Sequence, residues 1–75
     1  METTKHPLTE APATPALRHL LHQALAVAHE RGAAPTHWSH TDLGLDSAPA
    51  WGLMLWQERR PVVAIDPAGY MVWFA

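Results

Sequence analysis

Between Trp51 and Ala75 apolar residues run almost without interruption, broken only at Gln57–Arg60 and at Asp66–Gly69. This stretch contains three of the four tryptophans and no lysine. Apolar runs of strand length separated by polar turn residues read as a three-stranded antiparallel meander. Asp66-Pro67-Ala68-Gly69 is the clearest turn in the chain. Proline presets the second position and glycine takes a left-handed fourth, a pattern that predicts a hairpin with a type I turn and a G1 bulge. Counting back from it pairs Ile65 with Met71 and Val63 with Trp73. With Glu58-Arg59 as the other turn, Leu55 is expected opposite Val62 and Met54 opposite Val63.

In that register both sheet faces are apolar. One carries Leu53, Leu55, Val62, Ala64, Val72 and Phe74; the other carries Met54, Trp56, Val63, Ile65, Met71 and Trp73. A one-residue slip in the first hairpin exchanges the first strand's contribution between faces. A competing reading makes Ala48–Arg60 a second helix, against which stand Pro49 and Gly52.

The cover for one face lies upstream. Thr14-Pro15 has the form of a helix start, with threonine accepting from the first free N–H groups and proline at the position that has none to use. Gly32 suits a left-handed C-terminal cap, and Arg31 in the last turn suits the helix dipole. At 100° per residue Leu17, Leu20, Leu21, Ala24, Leu25, Val27 and Ala28 form one stripe, with Arg18, His19, His22, Gln23, His29 and Glu30 opposite. The expected fold is therefore α+β, one N-terminal amphipathic helix packed on the three-stranded meander. Residues 1–13, rich in Thr, Pro and Glu, are expected to be a disordered arm, and residues 14–75 a single small domain. The connector 33–50 is expected to pack down, with a short helical turn after Thr36. The alternative to a partner on the second sheet face is that Trp38, Leu43 and Leu45 fold back and cover it.

At 75 residues the chain has room for one domain. Domains of this size bury only about 60% of the surface their unfolded chain exposes, so many rely on disulfides, a metal or association. There is no cysteine, which leaves association. Net charge is −2 with histidines neutral, and Arg59-Arg60 is the one adjacent basic pair. Nucleic-acid binding needs a basic face or stripe, and none is written here. The N-terminus lacks the charged-then-apolar pattern of a secretory signal. No apolar run approaches the roughly 20 residues of a membrane span. The expectation is a cytoplasmic protein without membrane or nucleic-acid partners.

Six histidines invite a metal reading. His22 and His29 lie two helical turns apart, too far to share one ion directly, and His37, His40, Asp42 and Asp46 guarantee no convergent set of three or four ligands. Solvated imidazoles on polar faces are the expectation, with no metal or other cofactor. Ser39, Ser47, His37 and His40 include the residue types of a hydrolytic triad, but a triad is a geometry rather than a composition. No enzyme is expected.

Asp42-Leu43-Gly44-Leu45-Asp46-Ser47 resembles the motif around the phosphopantetheine-bearing serine of acyl carrier proteins, which typically reads Leu-Gly-x-Asp-Ser-Leu. The resemblance covers about six residues and implies an all-helical bundle with the prosthetic arm on Ser47. Ala48-Pro49 departs from the leucine that usually follows the serine.

The expected function is non-enzymatic protein binding, as a small inhibitor or adaptor of the size class common among phage and mobile-element proteins. The contact residues are Met54, Trp56, Val63, Ile65, Met71 and Trp73, with Arg59 and Arg60 at the rim, because aromatic residues, Met and Arg are enriched at interfaces. The partner is another protein or, in the structural-homodimer alternative, a second copy using the same face. A carrier domain modified at Ser47 is the remaining alternative.

Overall fold

The computed structural model describes residues 4–42 and 51–74, with backbone only at Thr41, Asp42 and Trp51. The chain forms β1 (His6–Pro7), α1 (Pro15–Glu30), β2 (His37–Asp42), β3 (Trp51–Gln57), β4 (Arg60–Ile65) and β5 (Met71–Trp73). The strands make one antiparallel sheet in the order β1-β2-β3-β4-β5, and α1 packs on one side of it, over β3 and β4. The α+β architecture with one helix on an antiparallel sheet is as expected, but the sheet has five strands rather than three.

The helix ends follow their sequence signals. Thr14 Oγ1 accepts from Leu17 N at 3.3 Å, and Pro15 occupies the first turn. At the other end Gly32 adopts φ +82, Gly32 N donates to His29 O, and Ala33 N donates to Ala28 O. These two bonds make a Schellman cap that satisfies carbonyls the helix leaves free. Leu17, Leu20, Leu21, Ala24 and Ala28 are buried, Leu25 and Val27 half-buried, and the opposite side is exposed.

Both extra strands come from segments expected to be irregular. Residues 4–13 are not a loose arm: His6 pairs with Trp38 and Pro7 with His37. Trp38 Nε1 donates to Glu10 O at 2.6 Å, and Pro12 is fully buried. The indole of Trp38 has one polar group to satisfy when buried, and the Glu10 carbonyl satisfies it, so the arm is held down by a core residue. In the connector, His37–Asp42 is a strand rather than a helical turn, paired in unbroken register with β3. Trp38 enters the core beneath α1 instead of covering the second face. Leu43 and Leu45 lie outside the described residues, as does Ser47. The sheet formed here is not the helical bundle that the carrier resemblance implies.

The hairpin at Asp66–Gly69 has the expected register, Ile65 with Met71 and Val63 with Trp73. Gly69 has φ +91, and Asp66 Oδ1 accepts from Ala68 N at 3.0 Å and from Tyr70 N at 2.8 Å. The first hairpin corrects the expectation. Gln57 pairs with Arg60 across Glu58-Arg59, but a bulge shifts the ladder so that Leu55 faces Val63 and Met54 faces Ala64. Pro61 is the physical reason. Proline has no N–H to give a ladder, and β4 is an inner strand, where proline is tolerated essentially only at a bulge. Val62 is the extra residue, and it packs against the core as a half-buried side chain.

That single residue decides the faces. The helix side carries Trp38, Leu53, Leu55, Val63 and Ile65, all buried, with Met71 and Trp73 packed beside them. The row Ser39, Met54, Ala64 and Val72, with Trp56 beside Met54, lies on the side away from the helix.

Candidate protein-binding surface

The eight expected contact residues do not share a surface. Val63 and Ile65 are 0% exposed beneath α1. Met71 and Trp73 flank the same core, and Trp73 is further covered by Arg31, whose guanidinium lies 4.1 Å from the ring centroid. Stacking of this kind neutralises an aromatic face that would otherwise meet water. Met54 and Trp56 do lie on the helix-free side, both half-buried. Arg59 and Arg60 are exposed at the turn joining β3 to β4.

Trp56 is a fixed part of its surface rather than a free anchor. Its Nε1 donates to Ser39 Oγ at 2.8 Å, across the strand boundary. Ser39 is fully buried although no described element packs on its side, because the indole lies over it. Lys5 Nζ sits 4.3 Å from the Trp56 ring centroid. The neighbouring turn is tied down as well. Glu58 adopts φ +57, a left-handed conformation unfavourable for a residue with a Cβ, and its N–H donates to Thr36 Oγ1 at 2.9 Å. Thr36 N donates in turn to Trp56 O at 2.7 Å. A side-chain bond of this kind offsets a backbone cost of order 1–3 kcal/mol.

The exposed apolar area lies elsewhere, on residues that no part of the sequence reading had assigned to a contact surface. Among the described residues the large exposed hydrophobics are Tyr70 at 68%, Val72 at 40% and Phe74 at 40%. They alternate along one strand and its flanks, and Val72 shares the face of Met54 and Ala64. The available signal was the turn register with an alternation count along β5, once the bulge had moved Val63 and Ile65 to the helix side. Phe74 also borders an open cleft of ≈ 610 Å³ shared with Ala33, Pro61, Val62 and the turn residues Gln57–Arg60. Two arginines beside apolar walls suit an acidic, partly apolar surface.

Among the described residues no group of three or more His, Cys, Asp or Glu could hold a metal ion. His6 Nδ1 contacts Glu10 Oε2 and the imidazole stacks on Trp38 at 4.5 Å between centroids, while His40 meets Trp38 edge-on at 5.2 Å. His37 shares a 2.8 Å hydrogen bond with Thr36. His19, His22 and His29 are exposed on the polar side of α1. No described helix is long and apolar enough to cross a membrane.

Comparison with protein-family models, with curated proteins and with solved structures found no match to this chain.

Proposed function

We propose that this protein is a non-enzymatic binding module, an inhibitor or adaptor that docks the helix-free side of its sheet onto another protein. The observation that carries the reading is the exposure of Tyr70, Val72 and Phe74 along β5 and its flanks. Val72 lies in the helix-free row beside Ala64, and Phe74 lies at the sheet's end, where Arg59 and Arg60 edge a cleft that runs round to Ala33 and Val62. Exposed apolar groups gathered in one place and rimmed by charge are the usual mark of a contact surface. Met54 and Trp56 form the pre-ordered floor of that surface, since the indole is already fixed by Ser39 and costs little further ordering on binding. The partner matched to this site presents apolar side chains flanked by carboxylates.

The test is site-specific photo-crosslinking in cells that make the protein. A photoreactive residue at Phe74 is expected to capture a partner that the same residue at His22, on the solvent side of α1, does not. Arg60→Glu should weaken that capture about tenfold or more, since reversing a rim charge opposes the partner's acidic groups. Equal capture at the two positions, or capture indifferent to Arg60→Glu, would overturn the reading.

A further inference from the structure

The sheet's two outer edges differ. At β1 the edge strand is two residues long, contains Pro7 and is preceded by Lys5. Proline, a nearby lysine and short length are the usual devices that stop another strand from adding to an edge. At β5, itself only three residues long, the other two are absent: Tyr70-Met71-Val72-Trp73-Phe74 has neither charge nor proline. Asp66 N donates to Tyr70 O and Phe74 N donates to Val62 O, so the backbone groups of Tyr70, Val72 and Phe74 point inward to β4. By the alternation of an antiparallel ladder, the N–H and C=O groups of Met71 and Trp73 point outward. No described strand lies beyond them.

We infer that β5 pairs antiparallel with β5 of a second copy of this chain, with Val72 on the two-fold axis. In this register Met71 of each copy lies opposite Trp73 of the other, and the outward backbone groups exchange four hydrogen bonds. On the helix side this sets methionine against an aromatic ring, a favourable contact. On the other side Val72 meets Val72, and Tyr70 of each copy meets Phe74 of the other. The strand is self-complementary, because the exposed large hydrophobic residues Tyr70, Val72 and Phe74 all find a partner in one operation. The seam places no charge against a like charge, the condition under which cross-strand pairs favour association. Because the two-fold operation uses the β5 edge of both copies, this pairing closes at two rather than continuing into a fibre.

The product is a ten-stranded sheet with both helices on one side and a continuous helix-free face on the other. The inference rests on the edge and its outward backbone groups, not on the binding function proposed above, although Val72 and Phe74 serve in both. A crosslink from Phe74 to a second copy reads the seam, and one to a different protein reads the face. Arg60→Glu tests the face and leaves the seam untouched.

The whole chain is tested by sedimentation over a range of concentrations and by single-cysteine crosslinking, for which the absence of native cysteine is convenient. The weight-average mass is expected to rise with concentration from 8.3 kDa to twice that value. Val72→Lys should hold it at the monomer while leaving the circular dichroism spectrum unchanged. The Val72 pair does not exchange backbone bonds, so its Cα atoms approach to about 4.5 Å. Val72→Cys should therefore form a disulfide-linked dimer under mild oxidant. Tyr70→Cys alone should not, whereas a mixture of Tyr70→Cys with Phe74→Cys should. A monomeric mass at every concentration, or crosslinking of Tyr70→Cys as fast as that of Val72→Cys, would overturn the proposal. So would self-association that Val72→Lys leaves intact, since that dimer would use another surface.

Discussion

The two sides of β4 are closed in different ways. Val63 and Ile65 lie beneath α1, where a whole element excludes water from a row of large aliphatic side chains. Ala64, between them in sequence, points the other way and is equally buried, yet no described element lies over it. Its cover is local, from flanking Met54 and Val72, just as Trp56 covers Ser39. One side is closed by secondary structure and the other by large side chains lying over small ones. Closure of the second kind leaves the covering side chains themselves partly in water, which is why Met54, Trp56 and Val72 remain available to a partner.

The sharpest way to break this contrast is one substitution made on both sides. Val63→Lys is expected to abolish folding, because a lysine forced beneath α1 has no buried counter-charge there. The cost is several kcal/mol. That is comparable with the whole stability of a domain this size, roughly 4–11 kcal/mol at typical values per residue. Loss of the folded circular dichroism signal checks it. Leu55→Ala, in the same row and 0% exposed, removes a large side chain without adding charge. It should cost about 2–5 kcal/mol, read as a lowered urea midpoint at unchanged slope. If either variant were as stable as the parent, the helix side would not be the core.

Gly52→Ala probes the join between the two sides. A Cβ at Gly52 would stand 2.0 Å from Ile65 O. That atom is backbone, so relief requires β3 and β4 to separate at the start of their pairing. The expected cost is about 1–3 kcal/mol, measured by thermal melting. Faster amide exchange at Leu53 and Ile65 should accompany it.

How much of this was legible beforehand follows from which signals are local. The helix, its caps and the Asp66–Gly69 turn were readable because each depends on residues within a few positions of one another. The face assignment was not, because it hung on a single count in the first hairpin. Pro61 held the missing information: a proline in an inner strand demands a bulge, and the bulge moves Val63 and Ile65 under the helix. β2 escaped because five of the six residues in His37-Trp38-Ser39-His40-Thr41-Asp42 are polar, so no alternation of large hydrophobics marks it. It is a strand by virtue of its neighbours, with one large side chain, Trp38, buried on one face and one small one, Ser39, on the other. β1 is too short for any pattern. The contact surface inherited the register error, so that Met54, Trp56, Arg59 and Arg60 stay on the accessible side while Val63 and Ile65 leave it.

On the side closed by side chains, losses should be small and local. Trp56→Phe keeps an aromatic ring over Ser39 but removes the N–H that donates to its hydroxyl. The buried Ser39 hydroxyl loses that donor, at about 1–3 kcal/mol in the urea midpoint. A loss exceeding that of Leu55→Ala would mean that the helix-free side is part of the core after all.

Val72→Lys should change stability least, within about 0.5 kcal/mol, as is usual for surface positions away from special features. Val72 lies across the ladder from Ala64 on the helix-free side, and its side chain already meets water, so the stem of a lysine can follow the same path while the ammonium reaches solvent. An unchanged melting midpoint, measured at concentrations where the parent is monomeric, beside the unfolded Val63→Lys would show that two valines in adjacent strands of one hairpin, nine residues apart in the chain, do different work. One holds the fold together and the other is presented to a partner. A large drop in the midpoint would instead make Val72 a core residue and remove the centre of the proposed surface.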